Sequence, residues 1–341
     1  MSTIKEVAEL AGVSVATASR ALSGYPHISA ATRQRVLDAV KQLDYQPDQV
    51  ARSLRRRRTN LIGLVVSTIE NVFFTEVAHA AEKAARPLGY NLIVCNTDED
   101  PQNEAAYLSI LDRQLVAGVI LAPAPGDARH LERFIGEKLP IVLVNRRLPH
   151  LPFPSITCDD ETAAFECVSY LVREGKQRIA AIMGLPGVST TAERLAGYRR
   201  ALQAARLPWR DDLEVQGGAN LEGGYRAAYE LMQRQERPDA LFVFNNVMTQ
   251  GAVMALQDLG VSWPEPVDIA GFCAFAAARL YRPPLTVIAQ PAHEIGRRAV
   301  TMLLERVEGK ATDGATAVVL PNRVITREEW QRSVRCGQDT L

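Results

Sequence analysis

The fold of the N-terminal segment is decided by the stretch Thr3–Leu22, which reads TIKEVAELAGVSVATASRAL. Thr3, followed three residues later by Glu6, fits a capping box, and Gly12 supplies the left-handed residue at which a first helix can end. Ser14 then fits the N-cap of a second helix, so only about three residues separate two short helices. This spacing predicts a helix-turn-helix.

A third helix is predicted at roughly 30 to 43, with Ser29 as its cap. Its predicted buried stripe consists of Val36, Leu37, Val40 and Leu43. The second helix offers small side chains and one cation, Arg20, which suits a helix that lies in the major groove of DNA. Short capped helices also occur in ordinary α-helical proteins, so this pattern alone leaves both interpretations open.

The charge of the chain is divided unevenly between its two ends. Residues 1–60 hold ten Lys or Arg against five acids, a net charge of +5, while the rest holds 29 against 34. With 341 residues, 47% of them hydrophobic and 23% charged, the chain has the composition of a globular protein with a small headpiece and a large body. A basic head on an acidic body predicts that only the head approaches a polyanion.

A possible linker follows the third helix. Tyr45-Gln-Pro47 breaks that helix, and a short segment, 49–54, runs into four arginines at 55–58. A charge run of this kind is most often a solvated linker, but beside a helix-turn-helix it could neutralise phosphates. Leu54 has no evident core partner there, so we expect it to act as a wedge between base steps in the minor groove.

The cysteines and the hydropathy pattern limit the compartment and the cofactors. The five cysteines are widely spaced, with no pairing of Cys or His that holds a metal: Cys95, Cys158, Cys167, Cys273 and Cys336. The chain opens on a polar helical pattern, and no run of eighteen apolar residues occurs. We therefore expect a cytoplasmic protein with free thiols, no cofactor and no membrane partner.

After Thr59 the pattern changes to alternating strands and helices. Two series of short apolar runs read as buried parallel strands, at 61–66, 91–95, 118–121 and 141–144, and then at 178–183, 213–217, 240–244 and 267–271. Helices are predicted between them, at 72–88, 102–115 and 127–137, and at 160–174, 190–206, 221–235 and 247–259. Two such series predict an α/β body of two lobes, each a doubly wound parallel sheet, with a ligand cleft at the carboxyl ends of the strands.

The chain resembles the LacI/GalR (lactose-repressor) family. The likeness covers positions 3 to 58 and continues in the body at Asn71-Val-Phe-Phe74, Cys95–Asp100, Ser189–Tyr198 and Pro283–Thr286, which are similar to the family's periplasmic-binding-protein-like (type I) core. The resemblance implies a headpiece at 1–46, a hinge at 47–60 and a two-lobed effector-binding and dimerisation domain at 61–335. It also divides that domain into an N-lobe at about 61–158 and 290–320 and a C-lobe at about 159–289 and 321–335.

The same resemblance implies how the headpiece meets double-stranded DNA. Val15 and Ala16 would read base edges together with Arg20, and Leu54 would insert at the centre of a palindromic operator bound by a homodimer. The implied DNA-binding set is Thr3, Ser14, Val15, Ala16, Thr17, Ser19, Arg20, Ala51, Arg52 and Leu54. One departure is Asp48, where the family usually has Asn, and a negative charge near phosphates would weaken binding slightly.

For the cleft, the resemblance implies an effector-binding set of Phe73, Asp98, Arg146, Arg194, Asn220, Asn245, Cys273 and Gln290. Simpler interpretations exist, because Phe73 could be a core residue and Asp98 and Asn245 could form turns. Where sugar-binding members usually show Gly-Phe-Asp-Asp and Asn-Asp, this chain has GFCA at 271–274 and Asn245-Asn246. Fewer carboxylates together with Arg194 and Arg146 predict a sugar acid, such as gluconate or ketogluconate, as the effector.

The sequence therefore predicts a transcription regulator, most simply a repressor, whose effector could act as inducer or corepressor. An exported solute-binding protein is one alternative, but the basic headpiece and the missing signal peptide disfavour it. An enzyme is the other, and the chain has no GxGxxG, phosphate-loop, GxSxG or HExxH motif. The tail after Arg332 lacks a leucine heptad, so no tetramerisation helix is predicted.

Overall fold

The computed structural model describes residues 2–22, 25, 27–45, 59–136, 139–273, 278, 280–310 and 316–336. After Trp330, Arg332 is the one residue whose side chain is described. The chain forms two compact units, Met1–Thr59 and Asn60–Leu341. The predicted hinge residues Asp48, Ala51, Arg52 and Leu54 and the arginine run lie outside the described residues.

The described residues of the first unit form a bundle of three helices: α1 (Ile4–Leu10), α2 (Val15–Leu22) and α3 (Ala30–Gln42). The predicted capping box at Thr3 and Glu6 is confirmed, with Thr3 N donating to Glu6 Oε2 at 2.7 Å. The hydroxyl of Ser14 accepts from Thr17 N at 3.1 Å, and Gly12 has a φ of 62°, so the turn also forms as predicted.

The core of this unit is built from small and β-branched side chains, among them Val7, Ala18 and Val36. The predicted stripe of α3 is wrong at Leu37, whose exposed fraction is 40%. Ala39 occupies the buried position instead, because positions 36 and 39 lie one helical turn apart on the face that meets α1 and α2.

The second unit contains two six-stranded sheets. The first sheet has the order β11-β5-β4-β3-β1-β2, formed by Ala317–Leu320, Ser155–Cys158, Ile141–Val144, Gly118–Leu121, Leu61–Val66 and Asn91–Asn96. The second has the order β12-β10-β9-β8-β6-β7, formed by Arg323–Ile325, Thr286–Ala289, Asp268–Phe272, Ala240–Val243, Ile179–Met183 and Glu214–Gln216. All neighbouring strands are parallel except β10 and β12.

Helices flank both sheets. They are α4 (Val72–Ala85), α5 (Pro101–Arg113), α6 (Arg129–Glu132), α7 (Asp160–Arg173), α8 (Ser189–Ala204), α9 (Leu221–Gln233), α10 (Asn246–Asp258), α11 (Ala292–Val307) and α12 (Arg327–Cys336), with 3₁₀ turns at Arg86–Leu88 and Asp211–Leu213. The predicted two-lobed, doubly wound architecture is confirmed. The helix predicted at 127–137 is shorter, and the sequence pattern had not identified β5, β10, β11, β12, α11 or α12.

The chain passes between the two sheets three times, because β5, β10 and β11 are each followed in sequence by an element of the other lobe. The N-lobe sheet thus takes strands from 61–158 and 317–320, and the C-lobe sheet takes the others. In both lobes the carboxyl ends of parallel strands lie at one edge of the sheet, where doubly wound proteins hold ligands. Within the described ranges, none of the helices has the length and apolar character needed to cross a bilayer.

Candidate functional site

The outer face of α2 is the candidate nucleic-acid interface. Ala18 and Ala21 are buried against the other two helices, whereas Val15, Ala16 and Arg20 are exposed. Thr17 and Ser19 are half-buried in the same helix. The exposed Thr3 caps α1, and the exposed Ser14 caps α2. The helix therefore presents small side chains and one guanidinium, which lies 5.7 Å from the ring centroid of Tyr25.

A second candidate site lies between the lobes, at the carboxyl ends of the strands. A cavity, open to solvent, is lined by residues that follow β1, β2, β4, β6, β7, β8 and β10. Its polar lining residues are Ser67, Thr68, Asn71, Glu99, Asn145, Arg146, Thr190, Thr191, Arg194, Asn245, Asn246 and Gln290, and Phe73, Phe74 and Phe244 are its aromatic ones.

The cavity brings together five of the eight residues that the sequence placed in an effector site: Phe73, Arg146, Arg194, Asn245 and Gln290. Asn245 also caps α10, because its Oδ1 accepts from Met248 N at 2.8 Å.

The other three lie outside the cavity lining. Asp98 is in a turn with a φ of 53°, where it accepts from Asn96 Nδ2 at 2.6 Å. Asn220 caps α9 through Gly223 N at 2.7 Å, and Cys273 is buried in the hydrophobic core of the C-lobe. Each of these side chains is therefore occupied by local structure.

The guanidinium of Arg146 is paired within the cavity wall. Its Nη1 and Nη2 each donate to a carboxylate oxygen of Glu99 at 2.6 Å, and Nη1 also donates to the carbonyl oxygen of Pro123 at 2.8 Å. A two-pronged pair of this kind fixes the plane of the guanidinium as well as its position.

The guanidinium of Arg194 is paired more deeply. Arg194 lies in α8, and its Nε and Nη2 contact Asp160 Oδ2 at 2.8 and 2.6 Å. It also donates to the Phe244 carbonyl and lies 3.6 Å from the ring centroid of Phe272. Burial raises the pKa of the Asp160 carboxyl, while Arg194 and a hydrogen bond from Asn322 oppose that rise.

Three buried polar atoms of the cavity lining have no hydrogen-bond partner among the described residues: Ser67 Oγ, Arg146 Nε and Asn246 Oδ1. A buried polar atom without a partner costs about 1–3 kcal/mol, so these atoms are suited to a polar ligand or water. Together they offer two donors and two acceptors, counting the Ser hydroxyl as both. No three His, Cys, Asp or Glu side chains of the described ranges come together as a metal would require.

Hydrogen bonds also bridge the lobes beside the cavity. Asn246 Nδ2 donates to Asn71 Oδ1 at 3.0 Å, and Arg147 N donates to Ser189 Oγ at 3.1 Å. A ligand that alters these contacts would alter the angle between the lobes.

Sequence reasoning missed the two acids that pair with the arginines. Asp160 begins α7 directly after Asp159, the cap of that helix, and no local pattern marked it as the partner of an arginine. Glu99 follows β2, with a φ of 61°. Its position just after a strand was the sequence signal that could have placed it in the cleft.

Two family models cover nearly all of the chain. Residues 3–48 match the bacterial regulatory proteins of the lacI family, and residues 59–328 match the periplasmic binding proteins and sugar binding domain of the LacI family. The chain belongs to the LacI family. As a LacI-family protein it is a DNA-binding transcription regulator with a helix-turn-helix headpiece and an effector-binding body.

Relatives of this LacI-family chain match along almost the whole length. Catabolite control protein A of Priestia megaterium is 34% identical over 96% of this chain and 98% of its own, and the transcriptional regulator DegA of Bacillus subtilis (strain 168) is 33% identical over 96% and 97%. Among solved structures, the lac repressor dimer bound to operator and the anti-inducer ONPF superposes with a TM-score of 0.83 at 26% identity, over 95% of this chain and 98% of that one. A CelR–cellobiose complex superposes with a TM-score of 0.70 at 28% identity, over 96% and 100%.

Proposed function

We propose that this protein is a repressor that binds a two-fold symmetric operator as a homodimer and is controlled by a small carbohydrate-type effector in the cleft between its lobes. The outer face of α2, with its small side chains and Arg20, is the observation that carries the DNA-binding part. The likeness to a repressor dimer that was solved on its operator supports the same arrangement here.

On DNA, α2 would lie in the major groove. Val15 and Ala16 would contact thymine methyl groups or base edges, and Arg20 would donate two hydrogen bonds to a guanine. Thr17 and Ser19, in the same helix, would contact phosphates, and Thr3 and Ser14 would hold the helix ends against the DNA backbone. The proposed minor-groove contacts of Ala51, Arg52 and Leu54 fall outside the described residues.

The effector and the operator would bias one conformational equilibrium of the body. A ligand shifts such an equilibrium only by its differential affinity for the two states, so its effect depends on which lobe angle the filled cleft favours. An inducer would weaken operator binding and a corepressor would strengthen it. Measurements of DNA binding with and without ligand distinguish the two.

For the effector we propose a neutral, polyhydroxylated molecule. The partnerless atoms of Ser67, Arg146 and Asn246 suit hydroxyl groups, and Phe73 and Phe244 contribute apolar surface to the cavity lining. The sugar acid predicted from the sequence depended on free guanidinium groups, and the carboxylates of Glu99 and Asp160 neutralise both.

A sugar acid such as gluconate or ketogluconate is the second candidate. Its carboxylate would have to compete with Glu99 and Asp160 for the two arginines of the lining. Calorimetry with neutral sugars and with gluconate-type acids separates the two candidates, because tight binding of a neutral sugar alone rejects the acid.

The experiment that tests the function is selection of bound duplexes from a random pool, with and without candidate ligands. We expect a two-fold symmetric site with a deformable central step. Leu54→Ala should weaken binding to that site far more than binding to random DNA. A protein that prefers no duplex over random sequence at moderate salt, with or without ligand, is not the proposed repressor.

A further inference from the structure

The cleft contains an arginine, Arg146 after β4, whose charge is cancelled by an acid that follows β2 of the same sheet, Glu99. The side chains of Arg146 and Glu99 are 10% and 18% exposed, so the pair borders the cavity but is largely withdrawn from water. Their two parallel hydrogen bonds, each 2.6 Å, occupy both terminal nitrogens of the guanidinium. The Nε atom remains as the donor without a partner.

The position of Arg146 does not depend on Glu99 alone. Its Nη1 also donates to the carbonyl oxygen of Pro123, and the next residue, Ala124, donates its N–H to the buried carboxylate of Glu104 at 2.5 Å. His130 Nε2 lies 2.7 Å from the other oxygen of Glu104. The loop after β3 is thus anchored in the N-lobe, and it would keep the guanidinium in place if Glu99 lost its charge.

The other cation of the cavity lining cannot supply a free charge either. Arg194 is paired with Asp160, which is almost completely buried and cannot swing away without leaving the guanidinium of Arg194 in the core without a counter-charge. The charge that the cleft offers to a ligand is therefore set by Glu99, the more accessible of the two acids.

We propose that Glu99 determines the ligand class of the cleft: as a built-in counter-ion of Arg146 it excludes small anions and leaves a site for neutral hydroxylated ligands. This inference rests on the proposed effector-binding role of the cleft and makes it specific. An anion would have to lie beside the carboxylate of Glu99 or displace it from two hydrogen bonds, whereas a hydroxyl group needs only the free donors and acceptors.

The test replaces Glu99 by an uncharged residue and uses sulfate as the probe. Glu99→Gln keeps the shape of the side chain but exposes the positive charge of Arg146, so the cleft should bind sulfate. We expect sulfate, compared with chloride at the same ionic strength, to raise the Tm of the full-length Glu99→Gln protein by more than it raises the Tm of the wild type. The apparent sulfate affinity should increase at least about tenfold, the ratio that corresponds to 1.4 kcal/mol.

Matched variants separate this effect from the general action of sulfate on stability. Asp98→Asn removes the same charge one residue earlier, from a side chain that contacts Asn96 and not Arg146, and it should respond as the wild type does. Adding Arg146→Met to Glu99→Gln should abolish the gain. If Glu99→Gln does not fold, Glu99→Asn replaces it, because Asn tolerates the left-handed backbone at this position.

Two results would overturn the proposal. One is a sulfate response of the wild type that Arg146→Met removes, since Glu99 would then not screen the arginine. The other is an equal response of Glu99→Gln and Asp98→Asn. The sulfate assay contains no DNA, so a negative result there does not contradict the repressor function. A failed operator selection, in turn, does not change the sulfate result.

Discussion

The pair of Asp160 and Arg194 places two opposite charges where almost no water reaches them. Burial makes each charge costly, and the pair is tolerated because Asp160 contacts the guanidinium twice and Asn322 Nδ2 donates to its second oxygen at 2.7 Å. Removing one partner should therefore be far more damaging than losing an exposed ion pair.

We predict that Asp160→Asn lowers the free energy of unfolding by about 3–5 kcal/mol, because it leaves the buried guanidinium of Arg194 without a counter-charge. Urea denaturation measures this loss. The matched control is Glu161→Gln, the next residue in α7, whose pair with Arg200 is 44% exposed on both sides and should contribute less than about 1 kcal/mol. Equal losses for the two variants would contradict the ion-pair account.

Side-chain pairing is also where the sequence was least informative. Local chemistry predicted the caps at Thr3, Ser14 and Ser29, because a cap involves residues only three apart. The partners Glu99 and Asp160 lie 47 and 34 residues from their arginines, and no local pattern shows such a contact. Asp98 takes the simpler of its two interpretations, a turn residue, and Asn220, which the resemblance placed in the effector set, caps α9 instead.

At the scale of elements, glycines at the contact between α9 and α10 allow the two helices to pack closely. A Cβ atom at Gly224 would lie 2.5 Å from the backbone of Met248, and one at Gly251 would lie 2.1 Å from the carbonyl oxygen of Leu221. Neither neighbour can move aside, because both are backbone atoms. The two helices therefore approach more closely than side chains allow.

We predict that Gly224→Ala lowers the free energy of unfolding by about 1–3 kcal/mol, although Ala is the better helix former, because the added methyl group forces the helices apart. Glu222→Ala, an exposed change in the same helix, should alter it by less than about 0.5 kcal/mol. Thermal or urea unfolding checks both. A stabilised Gly224→Ala protein would mean that the helices are not packed this closely.

The elements themselves followed well from the sequence where a strand is a continuous apolar run, as at Leu61–Val66 and Ile141–Val144. The strands that were missed are three or four residues long, and the two edge strands among them, β11 and β12, each have only one fully buried position. Short edge strands of this kind are set by their neighbours in the sheet, so they carry little pattern of their own.

At the scale of the whole molecule, the two units carry opposite net charge. The head has a net charge of +5, and neutralisation of phosphates by its Lys and Arg would release counter-ions from DNA. In the cleft, Arg146 is paired with Glu99 and Arg194 with Asp160. A neutral ligand should therefore bind there with an affinity that hardly depends on ionic strength.

We therefore predict that salt separates the two binding reactions. Raising NaCl from about 50 to about 200 mM should weaken operator binding by about 10³–10⁵-fold, if 6–10 phosphates are contacted, while affinity for a neutral effector changes little. Fluorescence anisotropy with the selected duplex and calorimetry with the effector measure the two. A flat dependence for DNA would show that the head does not bind through phosphates.

The crossing segments between the lobes have a mechanical consequence. Asn322 lies in the last of the three connections, between β11 and β12, and its Nδ2 contacts both the carbonyl oxygen of Asp159 and the carboxylate of Asp160 in the first connection. The side chain of Asn322 thus joins two of the three connections. Since Asp160 also contacts Arg194 in the cavity lining, a ligand that shifted this arginine would act on the junction of the two connections.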